Sequence, residues 1–138
     1  MTVYAIMDDI IALYGADLLD RVADPQNTGR ADPAIVAAAL AEASGIINSY
    51  LSMRYILPLN SVPDFLKTEC IDIAMYRMAV SEDVLTTQIE RRYDHAISHL
   101  KEISKGIAGL GFEGTSPQAQ TDDAKASRYG IVGFTYRR

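Results

Sequence analysis

Apolar and polar residues follow a helical rhythm along most of this chain. Between Asp8 and Ala23, the residues Ile10, Ile11, Leu13 and Tyr14, then Leu18, Leu19 and Val22, recur at steps of three and four. Gly15 interrupts that run, which predicts two short helices instead of one. Asp24 to Ala31 consists of turn formers and predicts a loop. Asp32 then supplies a capping carboxylate, and Pro33 suits a first helical position because its missing N–H is not needed there. From that start Val36, Ala39, Leu40, Ala43, Ile47, Tyr50 and Leu51 mark one stripe. The spacing predicts a helix from Pro33 to about Met53, with Pro58 as the stop.

A further helix opens near Pro63 and carries Leu66, Cys70, Ile73, Ala74, Arg77 and Met78 on one side. Glu69 and Asp72 flank that stripe, where solvated charges are expected. Thr87 with Glu90 three residues on has the form of a capping box. The helix it predicts shows Ile89, Tyr93, Ala96 or Ile97, Leu100 and Ile103, and closes at Gly106. Beyond Gly106 the pattern changes. Thr115 to Ser127 is small and polar and predicts a flexible linker. Tyr129, Ile131, Val132, Phe134 and Tyr136 follow, with Val132, Phe134 and Tyr136 alternating at the period of a strand. These five residues form the candidate interface with another subunit or a partner, for example by strand addition; a disordered terminus is the competing reading. The fold class expected is all-α, a compact bundle of four to five helices with a flexible linker and an extended C-terminal arm. The division falls into residues 1–111 and 112–138.

Composition narrows this picture. At 138 residues with 49% apolar content the chain can bury a core without staples, and its single cysteine, Cys70, excludes an internal disulfide. The net charge is −5, from 13 basic and 18 acidic residues, and it is unevenly spread. Residues 1–69 hold 9 acidic and 4 basic residues, whereas residues 70–138 hold 9 of each. From Lys125 to Arg138 there are four basic residues and no acidic one. An acidic body argues against general nucleic-acid binding. No basic leader precedes the first helix, and the longest uninterrupted apolar stretches fall short of the roughly 18 to 20 residues of a membrane span. A cytosolic protein is expected, with no membrane contact.

Candidate chemistry is thin. His95 and His99 share a helix face, but Ala96 stands where a zinc hydrolase places Glu, so solvated histidines are the expected reading. The Asp24 loop resembles a calcium loop only until its twelfth position, which is Ile35. Gly106, Gly109 and Gly111 follow a helix instead of opening one and do not form a nucleotide loop. Cys70 suits a small core residue, and Arg54 and Arg77 suit solvent-reaching stems. The expectation is a protein that is not an enzyme, with no cofactor and no metal.

Several pieces together match one known pattern. They are Met1-Thr2-Val3-Tyr4-Ala5 with Asp8-Asp9-Ile10-Ile11-Ala12, the turn ending Asp32-Pro33, and Ile47-Asn48-Ser49-Tyr50-Leu51 with Arg54-Tyr55 and Leu57-Pro58-Leu59. Val62-Pro63, Cys70-Ile71-Asp72-Ile73-Ala74, Tyr76-Arg77 and Glu90-Arg91-Arg92-Tyr93 complete it. In these the chain resembles the Mu-like bacteriophage and prophage family, Mu gene-product-36-like, whose genes lie among those for head and tail morphogenesis. The resemblance implies a virion structural protein of the head–tail connector or adaptor type. Such a subunit would self-assemble into a ring and dock to portal, head or tail proteins, with DNA passing but not specifically bound. It implies the host bacterial cytoplasm during assembly and then the virion. It brings no catalytic residues, and Tyr50, Arg54, Tyr55 and Pro58 are expected to shape the turn between two helices. A small helical DNA-binding or regulatory protein is the alternative. Against it, the Arg54 to Val62 link is long for a helix-turn-helix and neither flanking helix is basic.

Overall fold

The structure is a computed structural model and describes residues 3–111. Among these residues five helices make up an all-α bundle: α1 (Met7–Tyr14), α2 (Ala16–Val22), α3 (Pro33–Leu51), α4 (Asp64–Ser81) and α5 (Thr87–Ser104). There is no strand among the described residues. The candidate interface residues Tyr129, Ile131, Val132, Phe134 and Tyr136, and the linker before them, lie outside the described residues.

The α1–α2 break is where glycine is required. Gly15 has φ +92°, a backbone that side chains resist, so one run of periodic residues becomes two short helices. The loop after α2 folds around Asp24, whose carboxylate accepts from the Thr28 and Gly29 N–H groups at 2.8 and 2.7 Å. Those bonds, the Thr28 N–H first, hold its carboxyl below the usual range. α3 begins as expected, with Asp32 accepting from the Ala34 N–H at 2.9 Å and Pro33 in the first turn.

Two termini differ from the sequence expectation. α3 ends at Leu51 instead of Met53, because Arg54 and Tyr55 turn their N–H groups back onto the Leu51 carbonyl and Tyr55 drops into the core. The cap of α5 is Thr86, not Thr87. Thr86 has the extended backbone a cap needs, and its hydroxyl accepts from the Ile89 N–H at 3.2 Å. With two threonines in succession, composition cannot choose between them. α5 closes as expected near Gly106 (φ +81°): the Gly106 N–H reaches the Ile103 carbonyl and the Ile107 N–H reaches Glu102.

α4 is the central helix. Leu66, Cys70, Ile73, Ala74 and Met78 are buried as the stripe predicts, but so are Ile71, Met75 and Ala79, because α2, α3 and α5 all pack around it. α3 is long and apolar enough to cross a membrane by length and composition alone, although Glu42 breaks its apolar run. Here it serves as a core helix, burying Val36, Leu40, Ala43, Ile47 and Leu51. The extended N-terminal segment is tied to it: the Tyr4 N–H donates to Ser44 Oγ at 3.1 Å, and the Tyr4 hydroxyl to Asn48 Oδ1.

Candidate functional site

The main concentration of polar chemistry among the described residues lies between α4 and α5. The two helices run antiparallel, since Glu69 meets His99 while Asp72, further along α4, meets Arg92, earlier on α5. A groove of about 700 Å³ opens along their seam, lined by Phe65, Glu69, Asp72, Arg92, His95 and His99.

Glu69 and Asp72 correct the expectation of solvated flanking charges. They are only 8% and 6% exposed, because α5 covers the side of α4 that would otherwise face water. Each has a cationic or ionisable partner, as burial demands. The Asp72 carboxylate accepts from Arg92 Nε at 2.9 Å and from the Tyr14 hydroxyl at 2.8 Å, both at Oδ1. The Arg92 guanidinium also stands 5.0 Å from the centre of the Tyr14 ring, within cation–π range. Glu69 Oε2 pairs with His99 Nδ1, and the His99 ring meets Phe65 edge-on, with centroids 5.0 Å apart. Glu69 Oε1 is buried without a hydrogen-bond partner among the described residues.

Burial dominates the electrostatics. It pushes the carboxyls of Glu69 and Asp72 above their ordinary values, although His99 pulls the first back and Tyr14 and Arg92 the second. Burial, followed by the bond to Asp72, pushes the Tyr14 hydroxyl well up. The groove's hydroxyls, Thr68 and Ser98, sit on its exposed rim. Among the described residues no three His, Cys, Asp or Glu side chains form a group that could hold a metal ion. The chemistry on offer is charge pairing that locks α5 and α1 onto α4.

His95 is exposed on this seam and His99 half-buried, so the two histidines of one face have different surroundings. Cys70 is fully buried on the opposite, α3-facing side, where its thiol lies 3.5 Å from Ser44 Oγ; burial pushes the thiol up. Arg77 reaches solvent and holds Glu42 through two contacts of 3.3 Å. Arg54 lies against the end of α5: a Cβ on Gly106 would fall 2.1 Å from its Nη1. Of the four turn residues expected to be structural, Arg54 and Tyr55 thus fasten α3 to the close of α5, with the Tyr55 hydroxyl within 3.8 Å of a Cβ placed on Gly109.

Sequence reasoning placed Tyr14 on an apolar stripe and the two carboxylates in solvent, and it gave Arg92 no partner. A signal was present. Glu69, Asp72 and Tyr76 recur at three and four on α4, and Arg92, His95 and His99 recur likewise on α5. Two stripes of opposite character and equal length fit an antiparallel pairing. Tyr76 and Tyr93 extend it, stacked with centroids 3.8 Å apart.

Many of these residues are the ones that carried the family resemblance: Tyr4, Asn48, Arg54, Tyr55, Asp72, Tyr76, Arg92 and Tyr93. The comparison with known proteins agrees. A family model described as Bacteriophage Mu, Gp36 matches residues 4–128. Gene product J of Escherichia phage Mu is 34% identical over 111 residues, spanning 80% of this chain and 77% of that protein. The Mu-like prophage FluMu protein gp36 of Haemophilus influenzae is 31% identical over 123 residues, spanning 89% and 86%. The chain is a member of the bacteriophage Mu Gp36 family.

Proposed function

We propose that this protein is a non-enzymatic virion structural protein, a head–tail connector or adaptor subunit that self-assembles and docks to neighbouring head or tail proteins. The observation that carries the reading, given the family, is an apolar fringe at each end of the body. At one end Met53, Ile56 and Val62 are 67%, 53% and 43% exposed in the α3–α4 link. At the other, Val80, Val84 and Leu85 are 49%, 39% and 39% exposed around the α4–α5 turn. The two fringes are separated by the length of α4, about 27 Å at 1.5 Å per residue. Exposed apolar side chains grouped in this way mark contact surfaces. A subunit placed between two larger assemblies needs such a surface above and below.

The charge pairs of the α4–α5 seam support the same reading. Their side chains bind one another and stiffen the body between the fringes. The acidic first half of the chain would let DNA pass along a ring without adhering, because like charges repel.

Purified protein should form oligomers in light scattering and electron microscopy, and mass spectrometry should detect it in finished phage particles. A strict monomer that is absent from particles overturns the proposal. A salt-sensitive gel shift on DNA would favour the regulatory alternative instead.

A further inference from the structure

A second groove, of about 430 Å³, lies between α3 and the C-terminal half of α4, with the end of α2 beside it. Its walls are apolar: Val22, Pro25, Ile35, Ala38 and Val80 contribute, with Ile35 37% and Val80 49% exposed. Its charges are the carboxylates of Glu42 and Glu82 and the guanidinium of Arg77, which is already bound to Glu42. An apolar trough with an acidic margin fits an apolar segment carrying positive charge.

The chain contains one such segment. Residues 129–138 hold Tyr129, Ile131, Val132, Phe134 and Tyr136 and end in Arg137-Arg138, with no acidic residue after Asp123. We propose that the α3–α4 groove is the docking site of this C-terminal segment. The inference does not depend on the connector reading.

Length permits it. The described chain finishes beside the C-terminal end of α3, where Gly109 lies against Tyr55. Ile35 is sixteen residues back along α3 from Leu51, about 24 Å at 1.5 Å per residue. The seventeen residues from 112 to 128 reach as far as about 56 Å when extended, enough to place the segment in the groove of its own copy or of a neighbour. Charge selects between the two grooves. The α4–α5 groove buries Glu69 and Asp72 and presents Arg91, Arg92 and Glu102 at its surface, whereas the α3–α4 groove presents Glu42 and Glu82 with Arg77, so only the second is acidic where a basic segment would meet it.

Cysteine crosslinking in the full-length chain tests the assignment, with fully buried Cys70 left in place. Val80→Cys combined with Phe134→Cys should crosslink under mild oxidation at least roughly tenfold faster than Ser98→Cys combined with Phe134→Cys. Ser98 is exposed on the α4–α5 groove and lies about 12 Å along α5 from Gly106, so random encounter favours the control. Glu42→Lys with Glu82→Lys should slow the Val80 crosslink. A shifted monomer band or a crosslinked dimer both support docking and identify the copy that supplies the segment. Equal rates at positions 80 and 98, or a Val80 rate indifferent to the two charge reversals, overturn the proposal.

Discussion

α4 presents two unlike faces to its neighbours. Toward α3 it is dry, with Cys70 packed against Ser44 and the Leu40 carbonyl amid Ala43, Ile47 and Ala74. Toward α5 it is charged, with Glu69 and Asp72 meeting His99 and Arg92. The dry face gains from every apolar group removed from water and tolerates sliding between similar side chains. The charged face contributes little net stability, because desolvation offsets attraction, yet it penalises every arrangement that leaves a carboxylate unpaired. The first interface supplies cohesion and the second supplies register.

The comparison can be broken most severely from the dry side. Ile47 is fully buried on α3, and Ile47→Ala should lower unfolding free energy by about 3 kcal/mol through lost burial and a cavity. Urea denaturation measures it; a loss below about 1 kcal/mol would mean that the α3 face is not the cohesive one. On the charged side Asp72→Ala should cost about 2 kcal/mol, by stranding the Tyr14 hydroxyl and the Arg92 guanidinium. Arg92→Met in the same background tests the register argument. It should restore part of that loss, since one stranded charge is then gone, and no recovery would contradict it.

Cys70→Ser is smaller. It places a more polar hydroxyl in the dry interface and should cost about 1 kcal/mol, moderated by a bond to Ser44. A thermal melt that rises instead would show that the α3 face is less apolar than its packing implies.

The smallest effect concerns pH. Burial raises the Glu69 carboxyl, so the folded chain keeps that proton to higher pH than the unfolded chain does. Between the ordinary carboxylate value, about 4.3, and the raised folded value, unfolding releases the proton. Glu69's contribution therefore falls as pH rises through that window and is flat above it. Glu69→Gln removes this slope, so the variant should gain on the parent across the window in urea titrations at stepped pH. A difference that shrinks with rising pH would mean that His99, not burial, governs the carboxyl.

Local signals were legible wherever one short stretch contains the cause. The Gly15 break, the Asp32-Pro33 start, the Asp24 loop and the Gly106 close each depend on residues within about one turn of themselves. Apolar stripes at three and four likewise marked Leu40, Ile47, Leu66, Ile73, Leu100 and Ile103 as core. The choice of Thr86 over Thr87 was not legible, because it depends on which residue has extended backbone angles. The sequence pattern also could not say that α4 would be surrounded, and so it placed Glu69 and Asp72 in solvent.

By itself, then, the sequence determined the helical type of the fold, most of the helix starts and stops, and the membership of this chain in its phage family; it left the number of helices at four or five. Only the tertiary structure decided the fate of the charges. Asp72 finds Tyr14 at a separation of 58 residues and Arg92 at 20, and Glu69 finds His99 at 30. A helix start is fixed by neighbours in the chain, whereas a buried carboxylate is fixed by neighbours in space.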